Sequence, residues 1–294
     1  MDRRNFIRNS SAAVVAASLG IPQPFFDMQK KAGRIGIQLY TVRDEMGKDP
    51  AGTLAKLAQI GFQEVELAGY SEGKFYGMTP AEFKRLLKQN GLRARSGHTQ
   101  TGAINPKQRG TLLNDWESAV ADAAELNQQY FICAYLHDFE RKKIDDYKRI
   151  AELLNKSAEV CKRYGIQMGY HNHDFEFWEM DGQIPFDLLL KETDPDLIKI
   201  ELDLYWIHKA KKDPINYFKM YPGRFPLWHV KDMDKTEEQF FTEVGNGSID
   251  WKAMFRERNT AGLKQFYVEQ DICRNHKPLE SAAISYGYLK KLRY

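Results

Sequence analysis

The sequence predicts an α/β chain that folds as a single (β/α)8 TIM barrel. Eight short apolar stretches alternate with longer amphipathic ones and recur roughly every thirty residues, which is the strand–helix repeat of a parallel sheet. A chain of 294 residues has room for eight such units. The alternative is a doubly wound open sheet, but the first stretch is followed by "YTVRDEM" and not by a glycine-rich phosphate loop.

The predicted strands begin at residue 34. They cover residues 34–40, 63–69, 92–98, 130–136, 167–173, 198–204, 225–231 and 265–271. Helices are predicted most clearly at 79–90 and 144–164, and a last helix from Pro278. The first of these has Thr79 at its N-cap position and Gly91 just past its end, and these residue types commonly begin and end helices.

Residues 1–31 differ in composition from the rest of the chain. They contain "RRNFIR", in which Arg3 and Arg4 precede two apolar residues and a mild Ala/Val/Ser stretch. This pattern looks like a twin-arginine export signal, and an amphipathic leader with a chance arginine pair is the alternative. We therefore predict a signal peptide with a short linker over 1–31 and a single catalytic barrel domain over 32–294. The signal predicts a periplasmic or otherwise exported protein.

The charge balance argues against a nucleic-acid partner. Residues 1–31 carry five basic and two acidic side chains, which leaves 38 of each sign in the remainder. A nucleic-acid-binding domain is expected to carry a basic surplus. No apolar run approaches the roughly 20 residues that span a bilayer, so no stable membrane anchor is predicted. The three cysteines lie far apart and indicate neither a zinc cluster nor a disulfide framework.

The stretch "ELDLYW" places Glu201 and Asp203 at alternate positions of one predicted strand, so both face the same side. Burying two carboxylates side by side is costly unless a partner compensates them. Other predicted strands also carry inward-facing polar residues near their ends: Gln38, Glu64, Glu66, Ser96, His98, His171, His173, His229, Lys231, Glu269 and Asp271. Catalytic groups of a barrel gather at these ends, and carboxylates with imidazoles are ligands for Mn, Mg, Co or Zn. We therefore predict one divalent metal ion as the cofactor.

All seven histidines fall at predicted strand ends or in the loops just beyond them, and none falls on a predicted helix. Each residue has a structural alternative. An acidic residue at a strand end often caps the next helix or pairs with a basic side chain. A histidine there is often a hydrogen-bonded structural residue. Asp203, His229 and Glu269 form the strongest set, because they lie on three consecutive strands.

The stretches "YHNHDFEF", "ELDLYW", "HVKD", "EVGNGSIDW" and "VEQD" resemble the xylose-isomerase-like TIM-barrel superfamily. That superfamily includes sugar isomerases, ketose epimerases, inosose dehydratases and endonuclease-IV-like proteins. The resemblance implies that Asp203, His229 and Glu269 bind the metal. Where the epimerases have a glutamate ligand on the fifth strand, this chain has His171, which we predict as the fourth ligand. The alternatives are that Glu176 reaches in, or that the metal is lost or bound differently.

The resemblance implies an isomerase or epimerase that acts on a ketose or keto-sugar by removing a proton next to the carbonyl, giving an enediolate. Candidate residues are Lys231, His173 and Glu66 for catalysis, and Gln38, His98, Asn172 and Trp206 for substrate binding. The missing glutamate leaves open a lyase or hydratase acting on 3-keto-glycosides or inosose-like substrates.

Two other classes are an endonuclease-IV-like phosphodiesterase and a catalytically silent sugar-binding barrel. The expected partner is a small-molecule sugar, and a homo-oligomer is compatible with the sequence.

Overall fold

The structure is a computed structural model that describes residues 33–294, so the predicted export signal lies outside the described residues. Its twelve described strands are β1 Gly36–Gln38, β2 Glu64–Leu67, β3 Tyr70–Ser71, β4 Lys74–Phe75, β5 Arg93–Thr99, β6 Tyr130–Cys133, β7 Gln167–His171, β8 Ile198–Asp203, β9 Leu227–Val230, β10 Asp232–Met233, β11 Phe241–Thr242 and β12 Gln265–Val268. Eight of them close a barrel in the order β1-β12-β9-β8-β7-β6-β5-β2, with parallel neighbours throughout. The predicted (β/α)8 TIM barrel is confirmed, and each predicted strand lies in its place.

The helices of the described residues pack around this barrel. They are α1 Arg43–Lys48, α2 Pro50–Ile60, α3 Pro80–Gln89, α4 Trp116–Glu125, α5 Ile144–Arg163, α6 Pro185–Glu192, α7 Leu204–Lys209, α8 Pro214–Met220, α9 Trp251–Arg256, α10 Arg258–Ala261 and α11 Pro278–Lys291. Short 3-10 turns cover Leu39–Val42, Asp138–Glu140 and Phe175–Phe177. In residues 33–294 no helix combines the length and the apolarity needed to cross a membrane.

Helix α3 begins as its sequence predicts. Thr79 and Glu82 form a reciprocal capping box, Pro80 occupies the first turn, and Gly91 follows the end of the helix with a φ of +67°. The predicted helices over 144–164 and from Pro278 are confirmed as α5 and α11.

One local prediction is wrong, because His208 lies on α7 and not in a loop. The cause is Asp203, the last residue of β8. Its Oδ1 accepts hydrogen bonds from the backbone N–H groups of Tyr205 and Trp206, both at 2.9 Å, and so caps a helix that starts directly after the strand.

The inside of the barrel has an apolar lower layer and a polar upper layer. Ile132, Leu227 and Tyr267 form the apolar cluster. Two glycines make room for it: a Cβ on Gly36 would lie 2.4 Å from the Tyr267 ring, and one on Gly169 would lie 2.5 Å from Ile132. Above this layer, towards the C-terminal ends of the strands, the inward-facing side chains become carboxylates and imidazoles.

The loop "VGNGSIDW" after β11 is a carboxylate-binding turn within the fold. The carboxylate of Asp232 accepts hydrogen bonds from the backbone N–H groups of Gly245, Gly247 and Ile249, and from the indole N–H of Trp251 at 2.8 Å. The loop is thereby held against the chain that follows β9. It leads into α9, whose N-cap is Asp250.

Candidate metal centre and substrate cavity

The strand register brings the four predicted ligands to one place. Asp203 on β8 is paired with His229 on β9, and His229 is paired with Tyr267 on β12, two residues before Glu269. Each of His171, Asp203, His229 and Glu269 offers one donor atom, and the four atoms all lie within 4.8 Å of one another. All four side chains are buried. We call these residues the metal quartet.

The donor atoms of the metal quartet fit a divalent ion. Because Oδ1 of Asp203 caps α7, Oδ2 is left for the site; it lies 3.7 Å from Nε2 of His171 and 3.9 Å from Nδ1 of His229. Bonds of about 2.0–2.2 Å to one ion place its ligands roughly 3–4 Å apart. Nδ1 of His229 lies at hydrogen-bond distance, 2.7 Å, from Oε2 of Glu269, so an ion between these two atoms would replace one proton. Two nitrogens and two oxygens suit Zn, Co or Mn.

A second set of carboxylates lies behind the imidazoles of the quartet. Nε2 of His229 lies 2.6 Å from Oε2 of Glu66 and can donate its N–H there, which directs the other ring nitrogen at the metal. Nδ1 of His171 lies 3.3 Å from Oε2 of Glu201 without forming a hydrogen bond among the described residues. Gln38 donates to the same Glu66 oxygen at 2.9 Å.

Lys231 compensates part of the negative charge. Its ammonium lies 2.9 Å from Asp203, 2.8 Å from Glu269 and 2.8 Å from Asp271, and the side chain is 1% exposed. Burial by itself would lower the pKa of Lys231, but Asp203, Asp271 and Glu269 outweigh it and raise that pKa well above its ordinary value. Lys231 and protonated His98 together supply two positive charges, fewer than the five carboxylates that surround the site, which are Glu66, Glu201, Asp203, Glu269 and Asp271. The remaining charge fits a divalent cation.

His98 lies beside the quartet and is partly exposed at the cavity. Its Nε2 lies 2.7 Å from Glu201 and 3.3 Å from Glu66. Burial opposes its protonation, but the two carboxylates outweigh burial and raise the pKa of His98 to about 9. His98, His171, Glu201 and His229 also have donor atoms within 4.8 Å of one another. We favour the quartet as the metal site, because it offers two carboxylates to a divalent cation and this second group offers one.

A cavity of about 1080 Å³ opens above the metal quartet at the C-terminal end of the barrel. Five sequence-predicted site residues line it: His98, His171, His173, Trp206 and Glu269. The structure thus brings these five residues together around one cavity, as predicted, and the role of each stays a prediction. Asp203 and His229 lie just behind this surface, fully buried.

Four residues predicted for catalysis or substrate binding are placed away from the cavity surface. Gln38 and Glu66, predicted for substrate binding and catalysis, are fully buried and hydrogen-bonded to each other. Asn172, also predicted to bind substrate, is fully buried, and its Oδ1 accepts a hydrogen bond from the backbone N–H of Asp203 at 3.0 Å. Glu66 and Asn172 contact residues of the metal quartet, and Gln38 contacts Glu66; the roles predicted for the three stay predictions. Lys231 likewise lies below the surface, as an ammonium without a lone pair for taking a proton.

Glu176, the alternative fourth ligand, does not reach the quartet. Its Oε1 accepts a hydrogen bond from the hydroxyl of Tyr170 at 2.6 Å, and its Oε2 accepts one from the backbone N–H of His173 at 2.8 Å. Burial is the largest influence on this carboxyl and raises its pKa to about 7. Both oxygens therefore serve the turn that follows β7.

The structure adds cavity residues to which the sequence assigned no role. Asp271, which its alternation with Glu269 predicted to face inwards, lines the cavity and pairs with Lys231. Another part of the cavity wall comes from the loops after β2, β5 and β6, where Tyr70, Gln108 and His137 are found. These loops have no regular pattern that marks which side chains turn inwards.

The family model described as the xylose isomerase-like TIM barrel matches residues 54–292. The chain belongs to this family. An inosose dehydratase of Clostridium tetani is 28% identical over 52% of this chain and 58% of that protein, so this match spans little more than half of the relative. An inosose dehydratase of Lacticaseibacillus casei is 26% identical over 77% of this chain and 86% of its own length. A solved sugar phosphate isomerase/epimerase of Parabacteroides distasonis is 29% identical, with a TM-score of 0.77 over 88% of this chain and 94% of that one.

The family match, the named relatives and the buried donor set all support an enzyme, and the chain is an enzyme of this family. The sequence resemblance to the xylose-isomerase-like barrels is thereby confirmed at the level of family.

Proposed function

We propose that the protein is a divalent-metal-dependent lyase that removes water from a keto-sugar or keto-polyol, beginning with abstraction of the proton next to the carbonyl. The metal quartet on the floor of the cavity is the observation that carries this proposal. The relatives named inosose dehydratase support elimination of water. Symmetrical epimerisation needs two proton-exchanging glutamates, and Glu269 is the only glutamate among the described residues that line the cavity.

The residues that would hold the ion are His171, Asp203, His229 and Glu269. A bound divalent ion supplies Lewis-acid polarisation of the substrate carbonyl, which makes the neighbouring C–H more acidic. We propose that the ion is Zn, Co or Mn, because two imidazole nitrogens favour these metals over Mg.

His173 is the candidate that moves the proton. It lines the cavity, and its Nδ1 is buried without a hydrogen-bond partner in the described part of the chain. Burial, followed by the nearby Lys231 ammonium, lowers the pKa of His173 to about 3, so the imidazole is neutral at physiological pH and has a lone pair available. The neutral imidazole can take the α-proton, and the resulting imidazolium is a strong enough acid to return that proton to the departing β-hydroxyl. The products are an α,β-unsaturated ketone and water.

Isomerisation or epimerisation is the second candidate, and the likeness to the Parabacteroides distasonis isomerase/epimerase favours it. It shares the first step with dehydration and differs in where the proton is returned. The balanced charge of residues 32–294 favours a neutral or modestly charged small molecule over DNA.

The test is proton exchange in D2O with the zinc-, manganese- or cobalt-loaded protein and a panel of keto-hexoses, 3-keto-glucosides and inosose. We expect deuterium at the carbon next to the carbonyl by NMR, and an ultraviolet absorbance from an unsaturated ketone. His173→Asn should slow exchange by about 10²-fold or more, and His276→Asn, an exposed histidine, should not. Exchange without the unsaturated product would favour isomerisation. No exchange with any member of the panel would contradict the proposal.

We also propose export through the twin-arginine pathway, supported by "RRNFIR". Replacing Arg3 and Arg4 together by Lys should leave unprocessed protein in the cytoplasm. Unchanged processing of the double variant would contradict export by this route.

A further inference from the structure

The cavity is larger than a single sugar ring at the metal quartet requires. We call the part of the cavity next to His171 and Glu269 the metal end. Cavities of roughly 300–1,000 Å³ bury ligands of drug size, and this cavity has about 1080 Å³. A single sugar ring placed at His171 and Glu269 leaves the opposite end of the cavity free. That end is formed by the loops after β2, β5 and β6.

We call this opposite end the outer subsite. Six side chains define it: Tyr70, Gln100, Gln108, Thr111, Tyr135 and His137.

Several polar groups of the outer subsite are without partners. Within residues 33–294, the side-chain amides of Gln100 and Gln108 make no hydrogen bond to protein. Nε2 of His137 is buried with no hydrogen-bond partner among the same residues. An unpartnered imidazole nitrogen and two amides without protein partners together suit a ligand with several hydroxyl groups, which can donate and accept hydrogen bonds.

Aromatic rings connect the outer subsite to the metal end. Tyr135 lies edge-on to His137 with ring centroids 5.2 Å apart, and edge-on to His173 at 4.9 Å. His173 in turn stacks on Phe175 at 5.4 Å. Such rings offer apolar surfaces to the C–H groups of a second ring bound next to the first.

The outer subsite suits an uncharged group. None of its six residues is a lysine, an arginine or a carboxylate. Arg141, on the adjoining wall, is engaged within its own loop: it donates to the carbonyl of Leu136 at 2.9 Å, contacts Asp138, and lies 3.5 Å over the ring of Phe175. A phosphate would find no unengaged cation among these residues.

The wall of the outer subsite is packed before any ligand binds. A Cβ on Gly110, where φ is +84°, would lie 2.3 Å from the ring of Tyr70. The backbone N–H of Arg109 donates to the carboxylate of Glu72 at 3.0 Å, which ties the β3–β4 hairpin to the loop after β5. A preformed wall lowers the ordering cost of binding.

We propose that the outer subsite binds a second neutral, hydroxyl-bearing ring, so that the substrate is a keto-sugar unit linked to another sugar or polyol. This inference rests on the proposed function for the placement of the reacting ring at the metal end. The proposed substrates are therefore neutral disaccharides and glycosides, and not free monosaccharides or sugar phosphates.

The test compares one-ring and two-ring probes with the zinc-loaded protein. Glucose and methyl glucoside serve as one-ring probes, and cellobiose, maltose and trehalose as two-ring probes. Binding is followed by tryptophan fluorescence, because Trp178 and Trp206 line the cavity. We expect at least one two-ring probe to bind about tenfold or more tightly than both one-ring probes. The double variant Gln100→Ala/Gln108→Ala should lose that advantage, and Gln89→Ala, an exposed glutamine on α3, should keep it.

The inference is overturned if no two-ring probe binds more tightly than glucose, or if the advantage survives the double substitution. Its failure differs from a failure of the proposed reaction. Deuterium exchange on one-ring keto-sugars without any two-ring advantage would refute the outer subsite and leave the reaction standing. A two-ring advantage that depends on Gln100 and Gln108, without exchange on any keto-sugar, would support the subsite and refute the reaction.

Discussion

His229 and Glu66 form a buried pair in which Nε2 of the imidazole lies 2.6 Å from a carboxylate oxygen, with both side chains fully excluded from solvent. This contact fixes the orientation of the ring and leaves Nδ1 directed at Asp203 and Glu269. Burial alone would raise the pKa of Glu66, but charged His98 and the hydrogen bond from His229 outweigh it, and the pKa is lowered well below its ordinary value. Glu66 is therefore ionised and holds the proton of His229 on the nitrogen that faces away from the quartet.

Glu66→Gln should weaken metal binding through His229, because a neutral amide is a poorer acceptor for the imidazole N–H. Loss of such an outer partner lowers metal affinity by roughly 10–100-fold. Competition with a chelator measures the change. Glu64→Gln is the matched control, since Glu64 is buried on the same strand but lies near Arg95, 3.4 Å away, at the other end of the barrel. Equal metal affinities in the parent and in Glu66→Gln would show that Glu66 does not support metal binding through His229.

Asp203→Asn separates the two tasks of this side chain. The amide oxygen can still accept from the N–H groups of Tyr205 and Trp206 and keep the cap of α7, while the charged ligand oxygen is lost. We expect metal affinity to fall more than tenfold, with a thermal unfolding midpoint of the metal-free protein close to that of the parent. Asp213→Asn changes the N-cap of α8 in the same way and should leave metal affinity unchanged. A fully metal-loaded Asp203→Asn would show that this residue is not a ligand.

His171→Ala distinguishes the two candidates for the fourth ligand. Removing a ligand should weaken zinc binding about tenfold or more, whereas Glu176→Gln should not change it, because both oxygens of Glu176 are engaged by Tyr170 and His173. Isothermal titration with zinc gives both values. The reverse outcome, with weak binding only in Glu176→Gln, would move the ligand from His171 to Glu176.

Glu176 should also make stability depend on pH. Burial raises its folded-state pKa from 4.5 to about 7, so between these values the folded protein binds more protons than the unfolded chain. The free energy of unfolding should therefore fall as pH rises from about 4.5 to about 7. At 1.36 kcal/mol per pKa unit, this group contributes a decrease of about 3 kcal/mol. Urea unfolding across this range should show a flatter profile for Glu176→Gln than for the parent, and parallel profiles would contradict the assignment.

The sequence predicted the barrel and the ligand positions because both follow from periodicity. Eight apolar stretches at strand–helix spacing define the closed sheet, and alternation along β8 places Asp203 on the inner face. The same alternation predicts that His229 on β9 and Glu269 after β12 also face inwards.

Alternation does not tell how deep a side chain lies along the barrel. Gln38 and Glu66 face inwards as predicted, but strand stagger places them beneath the cavity floor. Asn172, between two inward-facing histidines, contacts the backbone of Asp203. Lys231 has an inward position too, and three carboxylates hold its ammonium there. His208 lies on a helix where a loop was expected, because Asp203 both ends β8 and caps α7. The loops that form the outer subsite depend on tertiary packing, such as Gly110 against Tyr70, which no local pattern encodes.

The most direct test of the metal quartet is anomalous diffraction from crystals of the zinc-loaded protein, recorded on both sides of the zinc absorption edge. We expect one strong peak within about 2.0–2.3 Å of Nε2 of His171, Oδ2 of Asp203, Nδ1 of His229 and the carboxylate of Glu269. A peak bound instead by Glu201 and His98, or no peak in the barrel at saturating zinc, would contradict this account.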